Sequence, residues 1–424
     1  MNKVLIITYY WPPSGGAGVQ RWLKFSRYLP QLGWEPVILT VDPEYAVYPA
    51  LDPSLEKDIP EGIRIHRTKA TNWFRIYAND KSRIPSGGFA KNLDDSIKGK
   101  ISRFIRGNFF IPDPRRGWNR YVIRKACEII EKEKIKHIIT SSPPHSTQLI
   151  GLKLKKKYPH LKWIADLRDP WTDIYYYDQF YPTSLSRKID LWFEKRVLKE
   201  ADRIITVSNT LKSLFSSKSE SIENKTDIIT NGFDTSDFEN ITGKRPEKLT
   251  ITYTGTLSEA YPVDGLVSAL KKIRQDGTDF VIRLAGSVQE KVKQEIQSDI
   301  PSGFVEFMPC IAHYEAINQM VNSSVLLLII PNHEHNKGII TGKIFEYLAS
   351  GNPILCLGPV DGDAAKIISR CKAGKTIDYL NSDEIITFLK NIPLYASMID
   401  KSAIQEFSRF NLTRQLASVL NSCS

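Results

Sequence analysis

Lys343 and Glu346 stand three residues apart in the run Lys-Gly-Ile-Ile-Thr-Gly-Lys-Ile-Phe-Glu-Tyr-Leu-Ala-Ser-Gly-Asn-Pro, residues 337–353. The spacing predicts both side chains on one side of a helix over 341–350. Gly351-Asn352-Pro353 would stop that helix, and Ile354–Leu357 reads as a buried strand after it. A helix N-terminus offers N–H groups and partial positive charge, which suit a phosphate. A first-turn lysine does not help the helix itself. Its placement therefore points to an outside anion such as a diphosphate, with Glu346 placed to take ribose hydroxyls. The plainer alternative is a loop, a helix and two solvated charges. Asp361-Gly362-Asp363 has the letters of a metal-diphosphate motif. It lies in a turn before a helix, so a capping role is expected there.

The elements that must position these residues alternate along the chain. Val4–Thr8 is an apolar run of the kind found in parallel strands covered on both faces. The segment Tyr9-Tyr10-Trp11-Pro12-Pro13-Ser14-Gly15-Gly16-Ala17-Gly18 and a helix over 19–32 follow, then a strand over 36–40. This strand, glycine loop, helix, strand order opens a doubly wound α/β domain. The loop is not GxGxxG, so a nicotinamide fingerprint is unsupported. Further strands are expected at 62–67, 137–140, 162–165 and 203–207, with helices at 119–134, 147–157 and 190–201. Polar loops at the strand ends, among them Ser141–Ser146 and Asp166–Trp171, are where such a sheet builds a ligand crevice. A hinge is expected near 232–248. A second α/β series then begins at Leu249, with strands at 280–286, 305–307 and 325–330. The last helix, 404–420, comes after the second series is complete.

The chain has 424 residues, which favours two domains over one core. It is 42% hydrophobic and 25% charged, the composition of a globular protein. Its net charge of +11 favours an anionic partner. Cys127, Cys310, Cys356, Cys371 and Cys423 are scattered, without CxxC spacing, so a structural zinc is not expected and a reducing cytoplasm fits. The start shows no signal-peptide pattern, and the longest apolar run, 325–330, is too short to span a bilayer. Residues 98–120 interleave Lys98, Lys100, Arg103, Arg106, Arg115, Arg116 and Arg120 with Ile101, Phe104, Ile105, Phe109, Phe110 and Trp118. Such a stretch can lie on an anionic membrane surface, or be an amphipathic helix packing Ile101, Phe104 and Ile105 inward. Tracking a nucleic-acid backbone is the least favoured use.

Four motifs in order give the chain a resemblance to the retaining glycosyltransferases of family 4. They are the first strand with Gly15-Gly16, Ala165–Trp171, Thr230-Asn231-Gly232-Phe233-Asp234, and Gly342–Pro353. The Ala165–Trp171 form is similar to the branch that builds bacterial surface polysaccharides. The resemblance implies the GT-B fold, two doubly wound Rossmann-like domains facing across a cleft. It divides the chain into an acceptor-binding domain over 1–235, a nucleotide-sugar domain over 236–400, and a helix in 401–424 returning toward the first domain. It implies transfer of a sugar from a nucleotide-diphosphate donor, UDP favoured, to a hydroxyl of a glycan or polyprenyl-diphosphate-linked saccharide, with retention. No cofactor and no metal are expected. The place expected is the cytoplasm, peripherally on the inner membrane face through 98–120, with nucleic acid an unlikely partner. Glu346 matches the family's ribose-binding glutamate, and Gly15 and Gly16 the loop nearing donor phosphate, whose bare N–H groups suit an anion. Asp169 and Arg168 fall near the reacting sugar. Asp169 can accept a proton or orient the acceptor, or cap a turn before Pro170; Arg168 can pair with it or steady phosphate. His145 and Trp171 are expected on the sugar or acceptor side. The pattern departs from the family at Gly338, where a glutamate is usual, and at Thr256 and Tyr261, where an arginine and a lysine are. The substitute cation expected for the leaving diphosphate is Lys343, helped by N–H groups at Gly255-Thr256 and Thr341-Gly342. An epimerase on the same fold and a polyanion-binding protein are the alternatives.

Overall fold

In the computed structural model, residues 1–73, 96–239, 241–244 and 246–423 are described. They form two compact units: 1–231 completed by 409–423, and 232–408.

Unit 1 runs β1 (Asn2–Ile7), α1 (Ala17–Tyr28), β2 (Trp34–Val41), β3 (Arg64–Thr68), α2 (Ile97–Phe109), α3 (Asn119–Glu133), β4 (His137–Ser142), α4 (Gln148–Lys157), β5 (Lys162–Leu167), α5 (Ser184–Glu200), β6 (Arg203–Thr206), α6 (Asn209–Ser216) and β7 (Thr226–Ile228). The strands pair in parallel in the order β3-β2-β1-β4-β5-β6-β7. Alternate residues feed two cores. Leu5, Ile7, Ile138 and Trp163 face α3 and α4, while Val4, Ile6, Ile139 and Ile164 face α1. Covering both faces explains why these strands read as unbroken apolar runs. Each such side chain contributes about 1.5–3 kcal/mol of burial. α1 ends earlier than expected. A 3-10 turn over Leu29–Leu32 takes over, with Pro30 at its start and Gly33 closing it at φ +83°. α5 begins six residues before the expected Asp190, because Thr183 Oγ1 caps it by accepting the Ser186 N–H at 3.3 Å.

Unit 2 runs β8 (Leu249–Thr254), α7 (Asp264–Gln275), β9 (Phe280–Ala285), α8 (Glu290–Asp299), β10 (Val305–Met308), α9 (His313–Val321), β11 (Val325–Ile329), α10 (Lys343–Ser350), β12 (Ile354–Leu357), α11 (Asp363–Arg370), β13 (Gly374–Ile377), α12 (Ser382–Lys390), α13 (Ile392–Met398) and α14 (Lys401–Gln405). Its sheet is parallel, in the order β10-β9-β8-β11-β12-β13. The helix expected over 404–420 is broken. Ile404 and Phe407 enter the unit 2 core beside Phe345, and α15 (Arg409–Ser422) starts afresh. Leu412, Leu416 and Leu420 of α15 pack in the α1 core of unit 1, where Trp34 Nε1 also donates to Asn421 Oδ1 at 3.0 Å.

Candidate functional site

The carboxyl ends of β1, β4 and β5 meet where the strand order of unit 1 reverses, the place where open α/β sheets bind ligands. A cavity of about 250 Å3 lies there. Gly15 and Gly18, the Pro143-Pro144-His145 turn, and Arg168, Asp169 and Trp171 after β5 line it, with Arg106 of α2 and Asp190 of α5.

The two acids of the Asp166–Asp169 segment do different work. Asp166, fully buried, accepts from Arg21 at 3.0 Å, Trp22 Nε1 at 3.1 Å and Ser141 Oγ at 2.7 Å. Arg21 also donates to the Thr230 carbonyl, so this ion pair ties α1 to β5 and to the chain after β7. Removing one partner alone would strand a buried charge at a cost on the order of 3–5 kcal/mol. Asp169 instead faces the cavity, and its carboxylate has no hydrogen bond among the described residues. Burial pushes it above the usual carboxylate range, and Arg168 pulls part of that back. Arg168 does not hydrogen-bond Asp169. Its Nε donates to the Ser142 carbonyl at 3.1 Å, and its guanidinium lies on Gly18, where a Cβ would come within 2.4 Å.

His145 stacks on Trp171, with centroids 4.9 Å apart and planes 11° off parallel. Burial lowers its pKa to about 4, so the ring is neutral at physiological pH. Trp171 Nε1 donates to Asp190 Oδ1 at 2.7 Å, and the Tyr177 hydroxyl donates to Oδ2 at 2.9 Å. Burial raises Asp190 to about 6 despite both donors. Asp190 and Tyr177 escaped sequence reading, and Arg106 is legible there only as part of the basic stretch 98–120, not as a cavity residue. The signal available was the polar file Ser186, Asp190, Glu194 at helical spacing, which faces inward here.

Part of the glycine-loop expectation is corrected. The Gly15 N–H is already bonded to the Ala50 carbonyl at 3.0 Å, so it is not offered to an anion. Gly16, at φ +103°, turns the chain into α1.

Unit 2 gathers the other predicted residues at the end of β8. Gly255 has φ +110° and Gly286 +136°; a Cβ on Gly286 would sit 2.1 Å from the Gly255 carbonyl oxygen. The same bare backbone admits Lys343, whose Nζ lies 3.9 Å from the Tyr253 ring centroid and 3.2 Å from where a Gly255 Cβ would be. Burial lowers Lys343 to about 7, offset in part by Glu346. Gly342 caps α10 without a side-chain hydrogen bond, and the buried Thr341 Oγ1 beside it has no hydrogen-bond partner among the described residues. Glu346 Oε1 meets His313 Nε2 at 3.0 Å, a partner from the start of α9 that sequence reading missed. The Gly255 N–H is already bonded to the Ala285 carbonyl at 2.8 Å, so its expected role as an anion donor is corrected, and Thr256 is held through its carbonyl, which accepts from the Tyr253 hydroxyl at 2.6 Å. The capping role expected of Asp361 and Asp363 is corrected: Gly362 is the cap residue of α11, Asp361 pairs with Lys337 at 2.5 Å, and Asp363 pairs with Lys366 at 3.3 Å.

The basic stretch is sorted by α2. Arg103 is buried, Arg106 lies 3.6 Å from the Phe180 ring centroid, and Ile101 and Phe104 are exposed. The inward packing of Ile101 and Phe104 considered from sequence is thus corrected. Among the described residues no helix is long and apolar enough to cross a membrane.

The family model of Glycosyltransferase Family 4 matches residues 15–237, more than half of the chain. The chain belongs to Glycosyltransferase Family 4. It is therefore a glycosyltransferase, and the matched stretch contains all of the unit 1 cavity residues from Gly15 onward. No curated sequence matches it. Solved structures share the fold at low identity. HepE of Anabaena in complex with UDP superposes at TM-score 0.64 and 14% identity, covering 100% of both chains. Sucrose-phosphate synthase from Thermosynechococcus elongatus gives 0.63 and 13%, covering 100% of this chain and 99% of that one. A putative UDP-N-acetylglucosamine 2-epimerase from Listeria monocytogenes gives 0.57 and 12%, covering 99% and 96%. Two doubly wound parallel sheets with this likeness make the fold GT-B.

Proposed function

We propose that this family 4 enzyme moves a sugar from a nucleotide-diphosphate donor, UDP-linked by preference, to a hydroxyl of a glycan or lipid-linked saccharide, with retention of configuration. The observation that carries the proposal is Lys343, a half-buried cation whose charge its surroundings disfavour, held at the Gly255 end of β8 beside Glu346. Such a cation is stabilised by a diphosphate, and the UDP in the HepE neighbour supports a uridine donor. Glu346, steadied by His313, takes the ribose; Gly342, Gly255 and Thr256 lie along the diphosphate. In the transfer, the bond from the anomeric carbon to the diphosphate oxygen breaks, and the bond to the acceptor oxygen forms. Lys343 offsets the charge left on the diphosphate. In unit 1, Asp169 receives or orients the acceptor hydroxyl proton, Arg168 steadies phosphate, and the His145–Trp171 stack forms a flat wall for a sugar. No metal is required in this scheme. The pathway proposed is cell-surface polysaccharide synthesis, with the enzyme working in the cytoplasm at the membrane face.

The test is thermal unfolding with a panel of nucleoside diphosphates and nucleotide-sugars, with and without magnesium, on the native chain and Glu346→Ala. A ligand at 100 times its Kd stabilises by about 2.7 kcal/mol. A shift with one nucleotide, lost in Glu346→Ala and independent of magnesium, is expected. Silence with every nucleotide would sink the proposal. The epimerase fold neighbour makes a second reading specific: release of an epimerised nucleotide-sugar without acceptor would replace transfer by epimerisation.

A further inference from the structure

α2 and the first part of α5, up to Glu194, are turned inside out, while Val197 and Leu198 at the end of α5 enter the core. On α2 the inward residues are basic: Arg103 is 8% exposed and Arg106 lines the cavity. The outward residues Ile97, Ile101 and Phe104 follow helical spacing, and Ile97 is 78% exposed. On α5 the inward file carries Asp190 and Glu194, at 4% and 0% exposure, while Leu185, Ile189 and Trp192 face out, Leu185 at 68%. The hydrophobic effect alone would turn both stretches the other way. Their polar sides are occupied by the cavity and its supporting bonds: Asp190 by Trp171 and Tyr177, Glu194 by Lys218 and Thr172.

The two apolar stripes belong to one surface. The Asn108 side chain joins the end of α2 to the start of α5: Oδ1 accepts from the Thr183 N–H and the Ser186 hydroxyl, both at 2.8 Å, and Nδ2 donates to the Tyr181 carbonyl at 3.0 Å. Tyr181, itself exposed, lies between them. The charge around the stripes is mainly basic, with exposed Asp178 beside Tyr181 paired to Arg187 of α5. α2 has no acidic residue, its Lys98 and Lys100 are exposed, and on α5 Lys188 and Lys195 are exposed while the only exposed acid is the terminal Glu200. Arg196 lies 4.9 Å from the Trp192 ring centroid, an aromatic and a cation paired as at a membrane interface.

We propose that α2 and α5 form one docking face for an anionic lipid surface, with Ile97, Ile101, Phe104, Leu185, Ile189 and Trp192 entering the lipid. The inference rests on the proposed membrane-face acceptor and refines it. The contact is the apolar side of two helices flanked by lysines, not Arg106 and Arg115 of the 98–120 stretch, which line the cavity. The same helices thereby set the acceptor cavity of unit 1 directly behind the lipid contact.

The experiment is co-flotation of the full chain with phosphatidylcholine vesicles containing one-third phosphatidylglycerol, against phosphatidylcholine alone, without nucleotide, with light scattering of the free protein. Co-flotation with the anionic vesicles is expected, weakened roughly 30-fold in the Lys98→Gln/Lys100→Gln double variant from a factor of about five per lysine. Ile101→Glu/Trp192→Glu is expected to abolish it. Absence of binding by the native chain would overturn the proposal. So would a dimer in solution that Ile101→Glu/Trp192→Glu dissolves, which would give the face to a second copy. Nucleotide-induced stabilisation, measured separately, shows that each variant is folded. It also separates loss of the docking face from failure of the donor reading.

Discussion

Arg168 of unit 1 and Lys343 of unit 2 hold equivalent posts. Each is a cation laid against a glycine that no other residue could replace without contact, Arg168 just after β5 and Lys343 at the start of α10. Their settings differ. Arg168 spends its donors on backbone carbonyls, at Ser142 and, more distantly at 3.5 Å, Pro143. It also has Asp166 4.0 Å away. Lys343 has an aromatic face and the charge of Glu346, and burial drags it to about 7. A guanidinium with fixed carbonyl partners is part of the scaffold even without ligand. An ammonium over a ring is satisfied only when an anion arrives. One cation is structural first, the other functional first.

The sharpest way to break this comparison is to remove both charges in turn. Lys343→Met is expected to lower kcat by about 100- to 1000-fold, the usual loss when one preorganised stabiliser of developing charge goes. It should nonetheless raise the melting temperature of the ligand-free protein, because a half-buried cation whose charge is disfavoured is replaced by an apolar chain of similar length. Arg168→Met should do the reverse in emphasis. Stability falls by about 1–3 kcal/mol, as buried carbonyls lose their donors, and turnover falls less than in Lys343→Met. Steady-state rates and thermal unfolding of both variants decide it. A Lys343→Met protein less stable than native would place Lys343 in the scaffold after all.

The contrast also explains what was legible in the sequence. Sheet strands such as Val4–Ile7 and Val325–Ile329 are buried on both faces, so their unbroken apolar runs declare them. Lys343 and Glu346 were visible because a first-turn lysine is a local misfit and its neighbours lie within one helical turn. Asp190 was hidden. It stands in the part of α5 where Leu185, Ile189 and Trp192 face solvent, and periodicity reports a face without saying which way it turns. His313 lies 33 residues before its partner Glu346, and no local pattern joins them. The Gly15 N–H looked available because the Ala50 carbonyl that takes it comes from a segment without regular structure.

A titration sharpens the difference further. With a ligand-free pKa of about 7, Lys343 loses its charge as pH rises, and a bound diphosphate holds the proton on. Donor affinity should therefore fall above pH 7, by up to about tenfold per unit until the bound-state pKa is reached. Lys343→Arg should flatten that slope, since a guanidinium stays charged throughout. Stability of the ligand-free protein moves oppositely. The unfolded lysine keeps its proton to about 10.4, so the unfolded state binds more protons between there and pH 7. Stability from this group then rises with pH across that window and is lost as pH falls to 7. Calorimetric binding of the nucleoside diphosphate at several pH values checks the first slope, and unfolding midpoints check the second. A donor affinity that is level from pH 6.5 to 9 in the native chain would remove Lys343 from the diphosphate site.

The smallest effect lies in unit 1 and tests whether its cavity is built for neutral groups. His145 keeps its ring neutral down to about pH 4 because it is half-buried and stacked against Trp171. In the unfolded chain it takes a proton near 6.5. Between those values the unfolded state binds more protons, so stability from this site is whole above 6.5 and is lost as pH falls toward 4. The loss is bounded at about 3 kcal/mol by the size of the shift. His145→Phe keeps a stacking ring and has no proton to take. It should cost no more than about 1 kcal/mol at pH 7 through altered ring contact. It should also make the urea midpoint fall less steeply than native between pH 6.5 and 4.5. Parallel acid profiles in native and variant would mean that His145 is protonated in the fold, and a charged wall beside Asp169 would then face the acceptor. The difference in slope thus reports the charge state of the proposed sugar wall without requiring the acceptor to be known.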